Sequence, residues 1–182
     1  MLNNSSTEYG LITIFIHWIS ALAVLSLFAL GFWMVDLTYY SSWYKTAPDI
    51  HKSVGILLLF LTTIRLLWRF WATMPAPMPT HQQWEHQSAR WAHRIIYVLM
   101  LAIMVSGILI STADGRGIWV FDWFQFPAVG ELFDDQADIA GAFHQYAAYS
   151  LIGLVFIHAA GALKHHFIDK DSTLTRMLRV KR

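Results

Sequence analysis

Apolar and polar positions alternate along the chain in blocks, giving four long hydrophobic runs separated by three polar or aromatic connections. The runs extend from about Leu11 to Val35, Ile50 to Trp71, Ile95 to Ala113 and Ile139 to Phe167. About 20 apolar residues, at roughly 1.5 Å per residue, carry a helix across the hydrocarbon of a bilayer. The pattern therefore predicts an all-α membrane protein, a bundle of four transmembrane helices in a single domain covering residues 1–182. The first run has no basic segment before it and no small-residue cleavage site, and it exceeds the apolar core of a signal peptide. It is expected to remain as a span.

The connections differ in kind. Met74-Pro75-Ala76-Pro77-Met78-Pro79 cannot continue a helix, because proline lacks the backbone donor and biases its predecessor to extended geometry. It predicts a stiff turn between the second and third spans. The third connection, Asp114 to Asp138, mixes acids with Trp119, Phe121, Trp123, Phe124 and Phe126. Its aromatic half is expected to lie along the membrane surface. Arg69, Arg90, Arg94, Lys164, Lys170, Arg176, Arg179, Lys181 and Arg182 fall on the side of both termini, against Lys45, Lys52 and Arg116 opposite. That bias predicts cytoplasmic termini. Trp18, Trp33, Trp43, Trp68, Trp71, Trp91 and Trp119 lie near span ends, as an aromatic belt requires.

Composition sharpens the class. Charged residues make up 14% of the chain and hydrophobic ones 56%, with a mean hydropathy of +0.43; a soluble domain carries about 25% charge. The absence of cysteine excludes disulfides, thiolate metal sites, iron–sulfur clusters and covalently attached haem. A net charge of +1 gives no reason to expect a nucleic-acid partner. Nine histidines remain as the abundant nitrogen ligands.

Those histidines sort by depth. His17 lies about two turns into the first span, and His158 about two turns before the end of the fourth. His51 opens the second span and His144 lies early in the fourth, towards the opposite side. On the fourth span His144 and His158 are fourteen residues apart, close to four full turns, so they share one face and stand about 21 Å apart along it. Two bis-histidine haems stacked along the bundle fit this arrangement, since haem is a flat and mostly apolar disc. His93 opens the third span without a matching partner at its depth. It is expected to bond a propionate or a polar neighbour rather than iron. His81 and His86 fall in the second connection as surface residues, and His165 and His166 at an interfacial position. Gly31 and Gly107 lie fourteen residues after His17 and His93. They would let a backbone or a flat ligand approach, or serve plain helix packing. Arg65 lies fourteen after His51, where its guanidinium either meets a haem propionate or snorkels to the interface.

At these residues the chain resembles the prokaryotic cytochrome b561 family of di-haem, quinone-linked membrane cytochromes. The resemblance is carried by Ile16-His17-Trp18, by His51 with Gly55, Arg65 and Arg69, and by His144 followed by the run from His158 to Phe167. The tail from Asp169 to Met177 carries it too. It implies that His17 and His158 ligate one haem b on the cytoplasmic side, and His51 and His144 another on the periplasmic side. It also implies a ubiquinone site with His165 in contact, and places the chain in the bacterial inner membrane among lipid. Some members look like superoxide oxidases that pass the electron to ubiquinone.

In the third connection Asp114, Asp122, Glu131, Asp134, Asp135 and Asp138 face a single Arg116. Such a rim slows an anionic donor, although Lys45 and Lys52 stand beside His51. Electron transfer between ubiquinone and a periplasmic redox donor therefore ranks above a superoxide:ubiquinone oxidoreductase. A cytochrome b subunit docked on a separate dehydrogenase is the other alternative. A divalent-metal transporter is disfavoured, because the spans hold no Asp or Glu and the histidines split into pairs.

Overall fold

The computed structural model describes residues 1–179, so Lys181 and Arg182, counted above in the charge bias, lie outside the described residues. The helices are α1 (Leu11–Met34), α2 (Thr46–Trp71), α3 (Gln83–Thr112) and α4 (Gln136–Phe167), and all four are long and apolar enough to cross a membrane. Large side chains such as Leu22, Phe70 and Trp71 point outward and exposed. That suits helices whose surrounding solvent is hydrocarbon.

Three helices begin earlier than the apolar runs. The start of α2 takes in Pro48, which is harmless in a first turn because that N–H has no helical partner anyway. The start of α3 gains twelve polar-rich residues, and a reciprocal cap fixes it: the Gln82 N–H donates to Glu85 Oε2 at 2.8 Å, and the Gln82 side chain accepts from the Glu85 backbone. At the start of α4, buried Gln136 accepts from the Leu132 N–H at 2.7 Å. It donates to the Leu109 and Gly130 carbonyls at 2.9 and 3.0 Å, tying the end of α3 to α4.

Part of the third connection folds as a β-hairpin, which its composition did not predict. Strands β1 (Ile118–Val120) and β2 (Phe124–Phe126) pair antiparallel, with Val120 opposite Phe124. Ile118 and Val120 turn inward onto Ile56 of α2 and Ile108 of α3, while Trp119 between them faces out. Ser53 of α2 clamps the hairpin: its hydroxyl donates to the Trp119 carbonyl and accepts the Phe121 N–H, both at 3.2 Å. The alternation of two inward aliphatics decided the structure, and the abundance of aromatics did not.

The opposite end of the bundle gathers both termini and the proline-rich turn. Buried Arg176, in a single 3₁₀ turn (Thr175–Met177), donates to the Thr7 carbonyl and, at 3.3 Å, to the Ala76 carbonyl. Trp18 of α1 donates its indole N–H to the Met177 carbonyl at 2.7 Å. Midway between the two ends, Leu58, Met100, Met104 and Leu151 form a buried apolar layer, with Val24 and Leu27 against it.

Candidate functional site

At the hairpin end α2 and α4 bring His51 and His144 together, with ring centroids 6.2 Å apart and planes at 60°. Backbone fixes the second of these rings: His144 Nδ1 lies 2.9 Å from the Ile103 carbonyl and 3.1 Å from Ser106 Oγ. A carbonyl can only accept, so Nδ1 carries the proton and Nε2 keeps its lone pair for a metal. His51 has no such tether; its Nδ1 is buried and makes no hydrogen bond. Glycines make room for both imidazoles. A Cβ on Gly31 would stand 3.1 Å from His51 Cε1, and one on Gly107 would stand 3.2 Å from His144 Cε1. What approaches these two glycines is therefore an imidazole edge.

At the termini end His17 of α1 and His158 of α4 have centroids 6.4 Å apart and planes at 63°. His93 joins them, its ring 5.1 Å from that of His158, which corrects the expectation that it has no partner at its depth. One contact, combined with the spacing, sets the register. Helices α3 and α4 run antiparallel and Gly107 abuts His144, so fourteen residues back along α3 must meet fourteen forward along α4. Arg65 does not snorkel. Its Nη2 donates to His17 Nδ1 at 2.9 Å, and its guanidinium lies over the Tyr97 ring, 5.5 Å from the centroid. Among the described residues no carboxylate forms an ion pair with it.

Beyond the pairs, His165 is mostly covered and sits 2.7 Å from Asp169 Oδ2. His81, expected at the surface, is covered as well: the tail folds over it, and it stacks on His165 with centroids 3.9 Å apart. Outside the hairpin-end pair lies an open cavity of about 1030 Å³, lined by Asp49, Lys52, Ser53, Asp114, Arg116 and Asp122 among others. Both of its cations are paired, Lys52 with Asp49 at 2.9 Å and Arg116 with Asp114 at 2.5 Å. The Arg116 side-chain hydrogen bond holds the Asp114 carboxyl below the usual carboxylate range.

The sequence profile described as prokaryotic cytochrome b561 matches residues 8–179. The chain belongs to the prokaryotic cytochrome b561 family. "Cytochrome b561 homolog 2" of Escherichia coli (strain K12) is 50% identical over 175 residues, covering 96% of this chain and 93% of that one. "Probable superoxide oxidase CybB" of Yersinia pestis is 31% identical over 180 residues, 96% of this chain and 98% of its own. "Cytochrome b561 homolog 1" of Escherichia coli (strain K12) is 30% identical over 170 residues, 91% and 93% of the two chains. As a cytochrome b561 the chain is a multi-pass electron-transfer protein of the bacterial inner membrane, and the family implies b-type haem.

The residues present fit that group. Two imidazoles bound to one metal from opposite sides, each through a bond of about 2 Å, have ring centres roughly 6 Å apart. The observed separations are 6.2 and 6.4 Å. Gly55, one turn from His51 on its face, has no atom within 4 Å of where a Cβ would stand, which leaves room beside the imidazole for a flat ring.

Proposed function

We propose that this cytochrome b561 holds two haem b groups, one between His17 and His158 and one between His51 and His144. It carries electrons across the membrane between a periplasmic donor and ubiquinone. The observation that carries this reading is the pair of imidazole pairs, 6.4 and 6.2 Å between centroids, at opposite ends of one bundle. Bound haem supplies a one-electron iron couple at each level. The chain does the rest. The Ile103 carbonyl and Ser106 hold His144 in the tautomer that leaves Nε2 free. The Leu58, Met100, Met104 and Leu151 layer keeps water from between the two levels. Arg65 supplies a cation inside the bundle; its guanidinium donates to His17 Nδ1 and would turn that donation to a propionate, leaving the imidazole free to rearrange its proton.

The excess of Lys and Arg at the termini end supports cytoplasmic termini, with the hairpin and its cavity in the periplasm. Ubiquinone then works at the termini end, where His165 matches a position the family associates with quinone contact. The whole chain acts as one domain. A pyridine-haemochrome assay of the purified protein should return two haems per chain, and His158→Ala and His144→Ala should each return one. A single haem in the wild-type protein would overturn the two-site reading.

Superoxide as the periplasmic donor is a second reading, favoured by the 31% identical relative from Yersinia pestis, a probable superoxide oxidase. The paired state of Lys52 and Arg116 speaks against it, since neither cation is left unmatched in the cavity. Exposed Asp134 and Asp135 add to the rim. Stopped-flow reduction by superoxide should therefore be slow, and faster in the Asp134→Asn, Asp135→Asn double variant, most of all at low salt. Fast reduction of the wild-type protein that rises further as salt is lowered would reverse this ranking.

A further inference from the structure

His165 follows His158 by seven residues on α4, so it stands about two turns, or roughly 10 Å, further along the same face. Its two nitrogens have different surroundings. Nδ1 lies 2.7 Å from Asp169 Oδ2 and 3.6 Å from Asp171 Oδ2. The Lys164 hydrogen bond keeps the Asp169 carboxyl below the usual carboxylate range, so it is ionised and can only accept. Nδ1 therefore carries a proton and donates it to Asp169. Nε2 makes no hydrogen bond among the described residues and is not sealed inside the fold.

The ring is held on its other sides as well. Lys164 bonds Asp169 Oδ2 at 2.8 Å and Glu85 Oε1 at 2.5 Å, which fixes the carboxylate that Nδ1 faces. His81 covers one face of the imidazole, with centroids 3.9 Å apart and planes at 22°. His81 is pinned in turn: its Nε2 lies 2.7 Å from Asp171 Oδ2, and the Thr173 N–H donates to Asp171 Oδ1 at 2.7 Å. The Asp171 N–H donates to the His165 carbonyl at 3.1 Å, so the tail is tied to the last turn of α4. His86, 5.4 Å from His81 between ring centroids, is the next titratable group outward. Three carboxylates, one ammonium and a second imidazole thus surround a ring with one nitrogen left free.

Building on the quinone reading above, we propose that His165 Nε2 is the proton donor to a quinone carbonyl oxygen, and that Asp169 and His81 are the positioning residues that aim it. Ubiquinone becomes ubiquinol by taking up two electrons and two protons. The electrons arrive singly, each turning one ferrous iron at the termini end ferric, and the periplasmic donor restores the ferrous state. In the protonated imidazole both nitrogens donate, Nδ1–H to Asp169 and Nε2–H to the carbonyl. As the quinone is reduced the Nε2–H bond breaks and an O–H bond forms on the carbonyl oxygen. The neutral ring keeps Nδ1–H on Asp169, and Nε2 regains a proton from water at the termini end. The other carbonyl oxygen takes its proton from water. Imidazole is the side chain suited to giving and regaining a proton near neutral pH. Without Asp169 the neutral ring is free to hold its proton on either nitrogen, and without His81 it is free to turn; either change spoils the aim of Nε2.

The test uses the full-length, haem-loaded protein in detergent, reduced with stoichiometric dithionite and mixed with a short-chain ubiquinone in stopped flow. Decay of the alpha band gives the oxidation rate against quinone concentration. At saturating quinone, His165→Ala should be slower by about a hundredfold or more, and imidazole added to the buffer should restore part of the rate. Asp169→Ala and His81→Ala should be slower by about tenfold to a hundredfold, with the half-saturating quinone concentration unchanged and no response to imidazole. Asp169→Asn, whose amide oxygen still accepts from Nδ1, should keep most of the wild-type rate. An unchanged haem spectrum in each variant confirms folding. Reduced wild-type protein that quinone does not oxidise would sink the quinone reading, and this inference with it. Wild-type protein that quinone does oxidise, with His165→Ala equally fast or slow without imidazole rescue, would overturn the proton-donor role alone. Full rates in Asp169→Ala and His81→Ala, or rates lowered only through weaker half-saturation, would overturn the positioning roles.

Discussion

Replacing Gly107 by alanine places a methyl carbon 3.2 Å from His144 Cε1, and replacing Gly31 places one 3.1 Å from His51 Cε1. On contact distance alone the second change is the harsher. The hydrogen bonds reverse that order. His144 must yield a few tenths of an ångström while Nδ1 is held by the Ile103 carbonyl at 2.9 Å, whereas His51 Nδ1 makes no bond that movement could break. A neutral hydrogen bond contributes about 1 kcal/mol. Its donation to a backbone carbonyl makes the imidazole a better electron donor, which favours the ferric iron. If the bond is lost and all of that energy distinguishes the two oxidation states, the midpoint rises by about 40 mV for one electron. Gly107→Ala should therefore raise the midpoint of the haem at the hairpin end by up to about 40 mV. Gly31→Ala should leave it nearly unmoved, and the other haem should not respond to either change. Redox titration followed in the alpha band measures both. An equal shift in the two variants, or a larger one for Gly31→Ala, would show that the Ile103 bond does not tune this ligand.

The remaining predictions concern other parts of the bundle. Arg65→Leu removes a cation beside His17 and should lower the midpoint of the haem at the termini end, because a nearby positive charge favours the reduced iron; two unchanged midpoints would leave Arg65 as a packing residue. Ser53→Ala takes away both hydrogen bonds that hold the hairpin on α2 and leaves the Phe121 N–H without its partner. That should cost about 1–3 kcal/mol and open the Phe121–Trp123 turn to limited proteolysis while both haems stay bound. The Lys164 hydrogen bond holds the Asp169 carboxyl below its usual range. A carboxyl depressed in the fold stabilises it above the unfolded value of about 3.9 and loses that contribution as pH falls through the folded one. Pepsin cleavage of the tail should accordingly rise below about pH 4, and Asp169→Asn should flatten that dependence.

The helices and the paired histidines were legible because both follow from short-range periodicity. Apolar runs of sufficient length can only be spans in a chain this poor in charge, and a spacing of fourteen residues on one helix sets two depths without reference to any other segment. Structure outside the hydrocarbon was harder to see. The first twelve residues of α3 carry no apolar run, and their helix is declared instead by the reciprocal cap of Gln82 and Glu85. The strands of three residues each are too short for alternation to stand out among the surrounding aromatics, so the inward pair Ile118 and Val120 was hidden by composition.

Histidine environments divide along the same line. His17, His51, His144 and His158 could be placed because each lies within a span whose depth scale is fixed at both ends. His93 belonged with them, and its place followed from the antiparallel register of α3 and α4 once Gly107 was seen against His144. His81 offered no such handle. It sits in a turn without periodicity, and what covers it is Asp171, ninety residues further along the chain. That contact depends on Arg176 holding the tail against Thr7 and Ala76, and on Trp18 holding Met177. A helical repeat reports which residues share a face; it carries no information about a tail folded back over a turn. Local spacing thus reveals the intramembrane histidine pairs, whereas the contact of His81 with His165 and Asp171 needed the folded tail to be found.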